Sequence, residues 1–237
     1  MRKCVNAKMR KYVNILTFVT CLLVSGALHA EESRDWAQFN RYASENDSLR
    51  AVKADIRVVF LGNSITQGWR EKRPEFFAEH GFVGRGINGQ TSTEMLVRMR
   101  QDVIDLHPQI VVILAGANDI AQNNGYISLE HILGNIISMC ELARTNHIQP
   151  VLCSVLPARS FWWTDRIKDA PVRIQQLNAM IRDYAQTNNI PFVDYWSKMA
   201  DTNGGLLPGL SDDEVHPTVA GYEIMESIIL SALRAVL

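Results

Sequence analysis

Three residues that together could activate a nucleophile lie far apart in this chain. Ser64 stands in Gly62-Asn63-Ser64-Ile65-Thr66, and Asp213 and His216 stand in Asp213-Glu214-Val215-His216-Pro217. A serine hydroxyl attacks poorly until a base removes its proton, and the base needs a partner that fixes its tautomer and stabilises the imidazolium. His216 would be the base and Asp213 its partner, with Asp212 competing for the third role. Attack on a carbonyl also requires donors aimed at the developing oxyanion. The candidates are the backbone N–H of Ser64, the backbone N–H of Gly89 and the side-chain amide of Asn118. Glycine lets a substrate approach the main chain closely, and an asparagine donates where a carboxylate would repel negative charge. Each also has an ordinary explanation: a turn or cap for Ser64, a turn for Gly89 and a helix cap for Asn118.

The elements must bring these residues together. Five apolar runs, at 56–61, 82–87, 110–115, 150–156 and 191–193, read as buried strands. Helical patterns lie between them. Thr91-Ser92-Thr93-Glu94 reads as a capping box opening a helix with Met95, Met99, Val103 and Leu106 on one face. Residues 128–146 repeat Ile132, Ile136, Met139 and Ala143, residues 170–188 repeat Ile174, Leu177, Ile181 and Tyr184, and a closing helix from 217 carries Tyr222, Met225, Ile229, Ala232 and Val236. Residues 34–49 have helical character, with Trp36, Phe39 and Tyr42 spaced for packing. Strands alternating with amphipathic helices predict an α/β fold, a three-layer α/β/α sandwich around a five-stranded parallel sheet.

In a parallel sheet, loops after strands line one rim and loops before strands the other, and ligands bind at the first. Ser64, Asn88-Gly89-Gln90-Thr91, Gly116-Ala117-Asn118-Asp119 and Pro157-Ala158-Arg159 all follow strands. His80, His107 and His147 precede strands, on the wrong rim. His131, inside a helix, is a weaker alternative to His216.

Taken in order, the four polar blocks resemble the SGNH hydrolases, also called the GDSL esterase and lipase family. The resemblance spans most of the chain after the first thirty residues. It implies a flavodoxin-like α/β/α fold, Ser64 as nucleophile, Asp213 and His216 as the rest of a triad, and Gly89 and Asn118 completing an oxyanion hole with the Ser64 amide. Asn63 departs from the aspartate of the family name; it flanks the nucleophile and is not a triad member. Thr66 occupies the second glycine position of a Gly-x-Ser-x-Gly elbow, which disfavours the larger α/β-hydrolase fold.

The first thirty residues read as a cleaved signal peptide: a basic head, an apolar stretch at 15–27 and small residues at Ala27 and Ala30, after either of which cleavage fits. The stretch is short of the roughly 20 residues needed to span a bilayer, so an exported protein, periplasmic or extracellular, is expected, with no stable membrane insertion after leader removal. Residues 31–237 then form one domain. The leader holds five of the 24 Lys and Arg and none of the 25 Asp and Glu, so the remainder carries a formal charge of −6. No basic patch or finger-like Cys/His spacing points to nucleic acid. Cys140 and Cys153 fall in apolar surroundings and are expected to be buried free thiols rather than a disulfide.

No metal-ligand cluster, phosphate-binding loop or dinucleotide fingerprint is visible, so no cofactor is expected. Asn63, Trp69, Trp162 and Trp163 are candidate substrate contacts, the tryptophans as platforms for sugar rings or as packing under a loop. Exported single-domain members of the resembling family point to removal of O-acetyl groups from carbohydrates, with a lysophospholipase or thioesterase-like acyl hydrolase as the alternative. From a different class, a non-catalytic glycan-binding protein on the same fold stays open.

Overall fold

The computed structural model describes residues 35–236; the expected leader lies outside them. Residues 35–38 form a turn closed by the Gln38 N–H on the Asp35 carbonyl, and a separate compact unit begins at Phe39. The expected helix over 34–49 is shorter: a single 3-10 turn at Phe39–Arg41 precedes α1 (Ala43–Ala51). Trp36 and Phe39 are exposed, while Tyr42 is buried and donates to the Gly86 carbonyl, so only the last of the three aromatics packs as expected.

Five parallel strands, β1 (Val58–Gly62), β2 (Phe82–Gly86), β3 (Ile110–Ile113), β4 (Gln149–Cys153) and β5 (Phe192–Val193), lie in the order β2-β1-β3-β4-β5. This matches the five expected runs and the flavodoxin-like order. The strands are buried on both sides because each faces a helical layer, which is why they read as continuous apolar runs rather than alternating ones. One layer carries α4 (Ser92–Val97), α5 (Met99–Asp102), α7 (Leu129–Thr145) and α8 (Ala170–Thr187), whose apolar stripes meet Val59, Leu61, Val111, Ile113 and Leu152. The other carries α2 (Ser64–Lys72), α3 (Pro74–His80) and α10 (Val219–Leu233), which cover Val58, Phe60, Val112, Val151 and Val193. Two short helices, α6 (Ala117–Ile120) and α9 (Trp196–Met199), follow β3 and β5.

The helix expected from Thr91 keeps its buried face, Met95, Met99, Val103 and Leu106, but is broken at Arg98 and again at Val103, ending in a 3-10 turn at Ile104–Leu106. The stripe of α10 buries Tyr222, Met225 and Ile229 as expected, with Leu233 fully buried beside them and Ala232 and Val236 packed on the same core at partial burial. Among the described residues no helix is long and apolar enough to cross a membrane.

Candidate active site

The strand order reverses direction at β1 and β3, and the crevice beyond their carboxyl ends is where open sheets of this kind bind ligands. Ser64 follows β1 and Asn118 follows β3, so both stand there. The turn onto Ser64 is tight. A Cβ on Gly86, in the neighbouring strand, would come within 2.1 Å of the Gln67 backbone nitrogen and 2.7 Å of the Asn63 carbonyl. As first residue of α2, Ser64 has an N–H with no acceptor within the helix, at the end whose dipole favours negative charge.

His216 reaches Ser64 because α10 is fastened to α2. Tyr222 donates to the Ile65 carbonyl at 2.9 Å, Lys72 donates to the Pro217 carbonyl at 2.9 Å, and Trp69 stacks on Tyr222 with ring centroids 5.8 Å apart. The Trp69 indole N–H and the Arg73 guanidinium both bond Glu226. Trp69 is therefore core, 1 % exposed, and the expectation that it contacts substrate is corrected. Its large apolar surface joins the two helices, and the indole nitrogen has found its partner in the interior.

The loop before α10 is organised by Asp213. Its Oδ1 accepts the N–H of His216 at 2.7 Å, the N–H of Val215 at 3.0 Å and the Ser211 hydroxyl at 3.2 Å, and Glu214 turns the chain with φ +69°. Its Oδ2 lies 2.6 Å from His216 Nδ1, and His216 Nε2 lies 2.9 Å from Ser64 Oγ. Asp212 is exposed, so the carboxylate on the imidazole belongs to Asp213. Partial burial alone would raise the Asp213 pKa; the His216 N–H, its imidazole and the Val215 N–H outweigh it and hold the carboxyl at about 2. Nδ1 thus faces an ionised acceptor, which selects the tautomer with the proton on Nδ1 and leaves Nε2 free to accept from Ser64.

The loops after β2 and β3 are tied to each other. Gly89 sits in a turn closed by the Gln90 N–H on the Ile87 carbonyl, and its φ of +78° is the left-handed conformation that glycine tolerates. A Cβ there would meet nothing within 4 Å, so it is the positive φ and not crowding that calls for glycine. The cap of α6 is Gly116, not Asn118. Asn118, 4 % exposed, donates through Nδ2 to the Gln90 carbonyl at 2.9 Å, which orients the amide and leaves it a second N–H. Next to it Asp119 accepts from the Ser92 N–H at 2.9 Å and hydroxyl at 2.5 Å; burial raises its pKa, and these two donors oppose the rise. Asn123 donates to the Gly89 carbonyl at 3.1 Å and accepts from the Trp163 indole N–H at 2.8 Å.

Trp163 is brought to the site, with its ring centroid 6.5 Å from that of His216, and Trp162 packs edge-on against it while remaining 69 % exposed. Asn63 is buried and caps α2 without a side-chain hydrogen bond. His107 and His147 are exposed, His80 bonds the Phe76 carbonyl, and all three stand before strands on the opposite rim. His131 is exposed at the start of α7, against Ser128. Nothing local marks Gln90, Asp119 and Asn123, because their partners here lie in loops remote in the chain. Among the described residues no group of three or more His, Cys, Asp or Glu is gathered to hold a metal ion.

Residues 60–224 match the model of the GDSL-like Lipase/Acylhydrolase family. The crystal structure of a GDSL-like lipase from Bacteroides thetaiotaomicron is 50 % identical, superposes with a TM-score of 0.83, and covers 86 % of this chain and 100 % of its own. An uncharacterized lipoprotein, YqeF, of Bacillus subtilis is 25 % identical over 54 % of this chain, and the match spans 61 % of that relative's length. An acetylxylan esterase of Geobacillus stearothermophilus is 24 % identical over 73 % of this chain and 92 % of its own.

Proposed function

Since the chain belongs to the GDSL-like lipase/acylhydrolase family, we propose that it is a serine esterase that hydrolyses carboxylic esters through an acyl-enzyme and that its substrates are O-acetylated carbohydrates. The observation that carries the reading is the relay Ser64 Oγ to His216 Nε2 at 2.9 Å and His216 Nδ1 to Asp213 at 2.6 Å. Ser64 Oγ attacks the ester carbonyl carbon as His216 Nε2 takes its proton, and the ionised Asp213 stabilises the imidazolium that forms. The carbonyl oxygen becomes an oxyanion that accepts from the N–H groups of Ser64 and Gly89 and from the free N–H of Asn118. Collapse of this intermediate breaks the bond to the alcohol, which leaves with the proton from His216. Water then attacks the acyl-serine with His216 again as base, releasing the carboxylic acid and restoring the Ser64 hydroxyl.

Two observations support an acetylated sugar. Trp162 presents an exposed indole beside Trp163, which neighbours His216; an aromatic face suits a sugar ring. The acetylxylan esterase relative is matched over most of its length. Export follows from the leader expected at 1–30.

The test is hydrolysis of p-nitrophenyl acetate and of an acetylated xylo-oligosaccharide, with Ser64→Ala alongside. Turnover of both is expected, with the variant lower by several orders of magnitude in kcat. Preference for octanoyl over acetyl esters would replace the carbohydrate reading by that of a lysolipid or thioester hydrolase. Substantial activity in Ser64→Ala would sink the nucleophile assignment, and inactivity on both substrates with retained oligosaccharide binding would favour a glycan-binding protein.

A further inference from the structure

Arg98 stands at the break between α4 and α5 and is 0 % exposed. Its guanidinium addresses three different parts of the molecule. Nε donates to the Gln90 side chain at 2.6 Å, Nη2 to the Gly62 carbonyl at 2.8 Å and Nη1 to Asp102 Oδ2 at 2.9 Å. Asp102, also 0 % exposed, accepts through Oδ1 from Asn46 of α1 at 2.8 Å, so the counter-ion is itself held in place. A buried charge is tolerated only when paired and hydrogen-bonded, and well-packed apolar residues often serve stability as well as a buried ion pair does. The ion pair makes sense through what its fork reaches.

Both neutral acceptors border the proposed oxyanion donors. Gly62 is two residues before Ser64, and its carbonyl also accepts the N–H of Ile87, three residues after which the chain reaches Gln90. Gln90 directly follows Gly89, and its own carbonyl is the acceptor that orients Asn118. Resting on the reading of Ser64, Gly89 and Asn118 as those donors, we propose that Arg98 is a positioning residue: its planar fork locks the loops after β1 and β2 to each other, and through the Gln90 carbonyl sets Asn118, so that three N–H donors converge on one oxyanion. Arg98 touches no reacting atom. Lysine would keep the charge against Asp102, but a single ammonium on a flexible stem does not reproduce a rigid fork with diverging donors.

The experiment compares wild-type protein with Arg98→Lys and Gln90→Leu, assayed on p-nitrophenyl acetate after titrating reactive serine to completion with a fluorophosphonate, so that kcat is counted per competent site. Both variants are expected to lose on the order of 10-fold to 100-fold in kcat per titrated site with KM within about twofold, since a shift of about an ångström in positioned groups has effects of this size. They should also lose affinity for a trifluoromethyl ketone, which forms a tetrahedral adduct, by a similar factor. A residue that merely holds the fold lowers the melting temperature and the titratable fraction while leaving kcat per site unchanged, and that result would overturn the proposal. Gln90→Leu keeps the Arg98–Asp102 pair and decides the matter where Arg98→Lys does not fold. Failure of the functional reading is separate: it would show as wild-type protein that the fluorophosphonate does not label at Ser64.

Discussion

Asn118 divides its amide between two tasks. One N–H is spent on the Gln90 carbonyl, which fixes the plane of the side chain, and the other faces the developing oxyanion in the proposed mechanism. Asn118→Ala should therefore lower kcat by on the order of 10²-fold or more with little change in KM, the signature of a donor used only in the transition state. Steady-state kinetics on p-nitrophenyl acetate measure it, and an unchanged kcat would confine Asn118 to holding the loop. At this scale the sequence exposed Ser64, His216 and Asn118, because their side chains can serve as nucleophile, base and donor and stand in polar blocks between the apolar elements. It did not distinguish Trp69 from Trp163. Both are aromatic and both follow a strand, yet one is sealed between α2 and α10 while the other borders His216. That difference depends on which helix packs where, which no local pattern records.

The contact between Ser64 and His216 spans 152 positions and depends on how α2 packs against α10 and the loop that leads into it. Helix α2 must lie close on β1 and β2 to turn Ser64 upward, and Gly86 is where the approach is nearest. Gly86→Ala would drive a methyl group into the backbone of Thr66 and Gln67, at distances of 2.6 Å and 2.1 Å, with no flexible side chain to give way. The expected cost is about 3 kcal/mol or more, at the upper end of overpacking, together with a lower kcat as α2 is displaced. Urea unfolding of the variant checks the first part; a midpoint equal to that of wild type would mean that α2 moves freely, against the geometry. Strand positions and the approximate spans of α7, α8 and α10 were legible because apolar runs and stripes of helical period mark them locally. The break at Arg98 also left a trace. Met95, Arg98, Met99, Asp102 and Val103 share the buried stripe at i, i+3, i+4, i+7 and i+8, so an i,i+4 charged pair sits where apolar residues belong.

Across the whole molecule the sheet separates two apolar interiors. Cys140 lies in the one beneath α7 and Cys153 in the one beneath α10, so a bridge between them would have to cross the sheet. Burial pushes both thiols up to about 12, the Cys140 shift being only partly opposed by Arg144 and the Cys153 shift by its Tyr195 neighbour. Thiolate at pH 8 is then about one part in 10⁴. Protein lacking residues 1–30 should give no reaction with Ellman's reagent when native and two thiols in denaturant; a single thiol or none in denaturant would indicate oxidation. The sequence alone determined the alternation of strands and helices, the rim on which each polar block stands and hence the family likeness, because strand burial, helix period and turn chemistry are written in neighbouring residues. Only the tertiary structure decided that Asp213 rather than Asp212 meets His216, that Trp69 is core, and that Arg98, Gln90 and Asn123 bond segments at the ends of β1, β2 and β3 to one another. Those outcomes follow from long-range packing, where a side chain's role is set by partners from other elements that arrive only when the layers close.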